Sequence, residues 1–303
     1  MTQKNKISVT IITGFLGAGK TTFINQLLKT YPHIQFALVE NEFGEISIDT
    51  KLIKGLDASQ MFEMRQGCIC CTITDEYELV LQELAERFPN VQHLLIETTG
   101  IADPAPVIRP FFSDEKLKEI YRFNGTICLV DALHFENYPD KEISLKQMAV
   151  ADNLLINKSE KLNSELKQQL QTTLKAINPL AEIFFAEYGI ASGFDLHKIS
   201  HRQYDMESSI HSHHLMDSKI IRFHQTLNKE DFFRRLEYML DVHKNNIYRI
   251  KGILAFENEP YEYILQGVGG SFELTEGEKL KTSDNKNEIV LIGNLKNTDL
   301  NFL

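Results

Sequence analysis

The stretch "QGCICC", Gln66 to Cys71, holds three of the chain's four cysteines, Cys68, Cys70 and Cys71. A disulfide between the adjacent Cys70 and Cys71 would be strained, and a Cys68–Cys70 pair is scarcely better. Thiolates are soft ligands suited to Zn²⁺ or Cu(I), and three of them leave a fourth tetrahedral position for another group. The plainer fate of a cysteine, as a small buried hydrophobe, suits Cys128 inside "TICLV" but not three thiols beside Gly67.

A second cluster handles phosphate. "GFLGAGKT", Gly14 to Thr21, matches G-x-x-x-x-G-K-[ST] between an expected strand and an expected helix. Gly14, Gly17, Ala18 and Gly19 would turn backbone N–H groups inward, and the helix N-terminus adds its positive end. Lys20 would reach the β and γ phosphates, Thr21 would ligate Mg²⁺, and Thr22 completes the phosphate-binding run. "HLLIETTG" ends a buried strand on Glu97, placed to hold Mg²⁺ or its water, with Gly100 three residues on to sense the γ-phosphate. Lys20, Thr21 and Glu97 are thus the expected catalytic set.

"INKSE" offers Asn157, Lys158 and Glu160 as a guanine motif of the N-K-x-D type, with Glu160 where Asp is usual. Its acid would accept hydrogen bonds from guanine's N1–H and exocyclic amine. The alternative is a polar helix start capped by Ser159 or Asn157. GTP, with GDP as product, is the expected nucleotide.

These residues need a scaffold. Apolar runs at 7–13, 34–40, 93–97, 126–131, 153–157 and 182–187 are continuous rather than alternating, as in a parallel sheet buried on both faces. Helical patterns lie between them: one with Phe23, Ile24, Leu27 and Leu28 on one face ending before Pro32, one over 75–88, one over 159–177. The expected fold is α/β, a P-loop doubly wound mostly parallel sheet over 1–190. A linker over 191–217 follows, with His197, His201, His211, His213 and His214 among the chain's ten histidines. A smaller α+β domain over 218–303 completes the chain, with one helix at "KEDFFRRLEYMLDVHKN" and strands around it. The short "HSHH" reads as an ordinary polar linker, although His-rich tracts bind metal.

At 303 residues there is room for two cores. A formal net charge of −10 argues against a nucleic-acid partner, whose phosphates are neutralised by Lys and Arg. No apolar run approaches the ~20 residues of a membrane span. The start, "MTQKNKISVTIITGFLGAG", has the look of a secretory signal, but its apolar run continues into the phosphate loop. A cytoplasmic location is expected, where clustered thiols point to metal or catalysis.

The motifs "GFLGAGKTT", "ENEFGE", "GCICC", "ETTGIADP", "LVDALH" and "NKSE", in this order, make the chain similar to the CobW-like family of P-loop metallochaperone GTPases, in its YjiA-like branch. "YRIKGIL", "LQGVG" and "EIVLIG" resemble that family's C-terminal domain. The resemblance implies that Cys68, Cys70 and Cys71 form the metal motif, with Zn²⁺ its commonest occupant and other divalent transition metals reported. It implies surface metal ligands at Glu40, Glu45, Cys70 and His134, and a Mg²⁺-side residue at Asp49. For the acids Glu40, Glu42 and Glu45 the residues alone fit a solvated loop equally well. The implied function is GTP binding and slow hydrolysis coupled to delivery of a transition metal to a client metalloprotein, and a homo-oligomer is compatible with it. Two other readings stay open: an ATP-dependent small-molecule kinase with a structural zinc, and a nucleotide-binding metal buffer without useful turnover.

Overall fold

The computed structural model describes residues 6–42, 45–48, 73–199, 216–225, 227–280, 287–296 and 298. Two compact units divide the chain: Met1–Thr172 with Ala181–His201, and Thr173–Leu180 with Arg202–Leu303. The order of elements is β1 (Ile7–Gly14), α1 (Lys20–Thr30), β2 (Phe36–Glu42), β3 (Glu45–Ile48), α2 (Ile73–Arg87), β4 (His93–Thr98), three short helices α3 (Ala105–Ile108), α4 (Pro110–Ser113) and α5 (Glu115–Ile120), then β5 (Tyr121–Asp131). After these come α6 (Lys141–Ala149), β6 (Asn153–Asn157), α7 (Ser164–Ile177), β7 (Glu182–Glu187) and β8 (Ile190–Ala191).

The eight strands form one sheet in the order β3-β2-β4-β1-β5-β6-β7-β8. Its interior pairs are parallel, and only β3 and β8, at the two edges, run antiparallel. Val9, Ile11 and Ile12 on β1, Leu94–Ile96 on β4 and Leu154–Ile156 on β6 are fully buried, which is why these runs are apolar without alternation. Phe23, Ile24 and Leu27 of α1 pack with Leu38, Leu95, Leu129 and Leu155 of the sheet. Because β1 lies between β4 and β5, the carboxyl ends of β4, β1, β5 and β6 share one edge. Ligands of open α/β sheets bind at that edge.

Two expectations need adjusting. The helix expected over 159–177 is a single 3₁₀ turn, Ser159–Lys161, followed by α7. The stretch 191–199, read as the start of a linker, contributes Leu196 and Ile199 to the core under α1. Asp195 explains the tie: Tyr31 donates its hydroxyl to Asp195 Oδ1 at 3.2 Å and accepts from the Leu196 N–H at 2.9 Å. The remaining linker histidines, His201, His211, His213 and His214, lie outside the described residues.

The second unit carries an antiparallel sheet in the order β12 (Ser271–Lys279), β11 (Tyr261–Val268), β10 (Ile247–Ala255), β13 (Asn287–Gly293), β9 (Asp217–Phe223). Helix α8 (Lys229–Val242) starts at Asn228, whose side chain accepts from the Asp231 N–H. Its Phe232, Leu236, Met239 and Leu240 pack on Ile250, Leu254, Leu265, Ile289 and Leu291. The expected α+β composition is what is found.

Candidate functional site

β1 ends in a loop whose backbone requires glycine. Gly19 has φ of +98°, and a Cβ there would sit 2.2 Å from Asn157 Nδ2. Lys20 opens α1, buried, and its ammonium donates to the Gly14 carbonyl at 2.9 Å. Burial lowers its pKa, against the pull of the Glu97 charge. The Thr21 hydroxyl donates to Glu97 Oε1 at 3.3 Å. A hydroxyl and a carboxylate side by side at a helix start are hard oxygen donors of the kind Mg²⁺ takes, so the residues present fit that ion. Cys128, behind the loop, is the buried hydrophobe expected of it, its thiol pushed up to about 12 by burial.

The strand ends are tied together. Thr98 donates its hydroxyl to Thr13 at 2.8 Å, joining β4 to β1. The chain then turns at Gly100, where a Cβ would fall 2.5 Å from the Leu16 N, so this turn presses on the phosphate loop. Gln147 of α6, buried, donates through Nε2 to the carbonyls of Gly100 and Ala102, both at 3.1 Å.

On the other side, Asn157 joins two loops with one amide. Its Nδ2 donates to the Ala18 carbonyl at 2.9 Å, and its Oδ1 accepts from the Gly189 N–H at 3.2 Å. Gly189 follows Tyr188, and a Cβ on it would meet the Thr22 and Phe23 backbone at about 3.0 Å. Lys158 is held in the left-handed region at φ 62° and donates to Asp131 Oδ2 at 2.6 Å. Glu160 is exposed on the 3₁₀ turn.

Sequence reasoning missed Asp131. Its carboxylate, nearly fully buried at the end of β5, takes Lys158 and His134 Nδ1 (3.0 Å) on Oδ2 and the Leu133 N–H (2.9 Å) on Oδ1. Burial works to raise its pKa, but the hydrogen bonds from Lys158, Leu133 and His134 and the lysine's charge hold it below the ordinary carboxylate range. The Asp131 N–H donates to the Tyr138 hydroxyl at 3.0 Å, and the Tyr138 ring stacks on Phe15 of the phosphate loop with centroids 4.3 Å apart. The available signal was a carboxylate closing a buried run in "LVDALH", just as Glu97 closes "HLLIE".

The structure therefore gathers Gly14, Gly17, Ala18, Gly19, Lys20, Thr21, Thr22, Glu97, Gly100, Asn157 and Lys158 at one sheet edge. Of Glu40 and Glu45 only the backbone is described: Glu40 stands level with Glu97 on the neighbouring strand, and Glu45 pairs with Glu42 across the β2–β3 hairpin. His134 is exposed. Because an ionised carboxylate only accepts, its Nδ1–H donates to Asp131 Oδ2, and Nε2 is the ring atom on the side away from that carboxylate, a carboxylate–histidine pairing that recurs around metal-ligating histidines. Cys68, Cys70, Cys71 and Asp49 lie outside the described residues.

Comparison with known proteins agrees with this geometry. Residues 8–185 match the CobW/HypB/UreG nucleotide-binding domain, and residues 216–301 match the cobalamin synthesis protein cobW C-terminal domain. The chain is 33% identical to the zinc chaperone YjiA of Escherichia coli (strain K12), covering 87% of this chain and 86% of that protein. It is 27% identical to the zinc-regulated GTPase metalloprotein activator 1 of Saccharomyces cerevisiae, over 96% of this chain and 81% of the relative. The crystal structure of Zn(II)-bound YjiA GTPase from E. coli superposes with a TM-score of 0.71 at 26% identity, covering 95% of this chain and 94% of that one.

Proposed function

From a chain that belongs to the CobW/HypB/UreG family, with its nucleotide-binding domain followed by the cobW C-terminal domain, we propose a GTP hydrolase that couples slow turnover to binding a transition metal, zinc foremost, and delivering it to a client metalloprotein. The observation that carries the nucleotide half is the joint placement of Lys20, Thr21–Glu97 and Asn157–Lys158 at one sheet edge. The metal half is supported by the C-x-C-C thiols of the sequence and by similarity to the zinc chaperone YjiA and its Zn(II)-bound structure.

GTP is the substrate. Water attacks the γ-phosphorus in line, the bond from that phosphorus to the β–γ bridging oxygen breaks, and GDP and phosphate form with a proton passed to solvent. Lys20 exchanges the Gly14 carbonyl for phosphate oxygens, and the loop N–H groups donate to the charge that builds there. Thr21 and Glu97 are the residues that would hold Mg²⁺, which when bound neutralises charge shared by the β and γ phosphates. Gln147 donates both amide hydrogens to the Gly100 and Ala102 carbonyls, so it steadies the turn at the γ-phosphate end.

Coupling to the metal is supported by register: Glu40, a proposed ligand with Glu45, Cys70 and His134, is level with Glu97 across adjacent strands. A shift at the γ-phosphate end would thus reach the proposed ligands. Linkage then requires that metal and nucleotide change each other's affinity by the same factor, typically about 1–3 kcal/mol. The test of the enzymatic half is turnover with equal GTP and ATP. GTP should be consumed preferentially and Lys20→Ala should slow the reaction at least about 100-fold; ATP preference, or phosphate release equal to that of Lys20→Ala, would overturn it.

A further inference from the structure

Among the described residues, Asp131 is the buried carboxylate at the nucleotide edge that the hydrolysis scheme leaves unused, and it sits where the base motif and the phosphate loop meet. Its Oδ2 receives the Lys158 ammonium at 2.6 Å, and its N–H reaches the Tyr138 hydroxyl, whose ring lies on Phe15. Lys158 itself has left-handed backbone, a conformation that costs a non-glycine residue free energy and persists only where surroundings enforce it. A lysine stem is flexible, so a side chain whose backbone and ammonium tip are both anchored presents its methylenes in one place. An apolar stem so fixed is a surface for the face of a purine ring.

We propose that Asp131 is a positioning residue for the nucleotide base, acting through Lys158. The inference rests on the reading that nucleotide occupies the phosphate loop with Asn157 and Lys158 beside the base. His134 shares the same carboxylate oxygen at 3.0 Å, so it helps orient Asp131 without touching the base. Tyr138 and Phe15 set the distance between this anchor and the phosphates.

The experiment compares affinity for GDP·Mg with that for inorganic tripolyphosphate, which has phosphates and no base. Asp131→Asn keeps an oxygen for the Leu133 N–H while removing the charge that holds Lys158. It should weaken GDP binding roughly tenfold, leave tripolyphosphate within about twofold, and add nothing to the loss already caused by Lys158→Met. Equal losses for GDP and tripolyphosphate would mean that Asp131 only props the loop, and GDP binding unchanged in Asp131→Asn would remove its role. Additive losses in the double variant would show that it does not act through Lys158. A Lys158→Met protein that binds GDP like the parent would overturn the base-site reading itself, and the role of Asp131 with it. Should Asp131→Asn not fold, Asp131→Ser, with a hydroxyl for the same N–H, supports the same comparison.

Discussion

Lys20 and Glu160 carry the two sharpest predictions at the scale of single residues. Lys20 is the buried cation of the phosphate loop, already parked on a carbonyl that phosphate would displace. Losing one preorganised donor to developing charge typically costs about 10²–10³ in rate. Lys20→Ala should therefore reduce GTP turnover at least about 100-fold at saturating Mg²⁺, measured as phosphate release. Glu160 is exposed two residues after Lys158, and the proposed base site would put its carboxylate at the guanine edge. A hydrogen bond to a charged acceptor contributes about 1.5–3 kcal/mol. Competition binding should show Glu160→Ala losing about tenfold of its preference for GDP over ADP, and Glu160→Asp keeping it. An unchanged preference in Glu160→Ala would place guanine recognition elsewhere. The phosphate-loop residues were legible because their roles are local: a glycine turn, then a lysine, then a helix start. Asp131 was not, because Lys158, 27 residues on, reaches its carboxylate only through the fold, alongside the near neighbours Leu133 and His134.

At the scale of elements, the interior strands were readable because burial on both faces makes their sequences continuously apolar. The run 153–157 matches β6 residue for residue, and 182–187 matches β7. Helix α6 escaped because its buried face mixes the polar Ser144 and Gln147 with Leu145, Met148 and Ala149, so apolar residues alone do not mark the period. Edge strands β3 and β8 are four and two residues long, too short for any pattern. The sheet also contains a titratable element that pattern reading passes over. His93 opens β4, buried, 2.8 Å from Thr10 Oγ1 and packed near Phe36. Burial first, then the charges of His197 and Arg122, push its pKa from 6.5 down to about 3. The fold thus holds the neutral imidazole. That stability is complete above the unfolded value and is lost as pH falls from about 6.5 toward 3, at up to ~1.4 kcal/mol per unit. Urea unfolding at pH 7 and pH 5 should show the parent losing more stability than His93→Gln, which does not titrate. Equal losses would move the acid sensitivity to other groups.

For the whole molecule, the two units meet different demands. The parallel sheet lines up strand ends for a nucleotide, and the antiparallel sheet with α8 is a second core. Among the described residues no helix is long and apolar enough to cross a membrane. A ligand that binds only the folded state stabilises it by about 2.7 kcal/mol at 100 times its Kd. GDP·Mg at that excess should raise the melting temperature by a few degrees, and Lys20→Ala should show little shift at the same concentration. The central claim, however, is that thiols and nucleotide belong to one device. Its most direct test is GTP hydrolysis by chelator-stripped protein as buffered free Zn²⁺ is raised, with Cys70→Ala alongside. The account predicts a rate that changes with Zn²⁺ in the parent and stays flat in Cys70→Ala. A rate that is nonzero and flat in both would contradict it, leaving a GTPase whose three clustered cysteines serve another purpose.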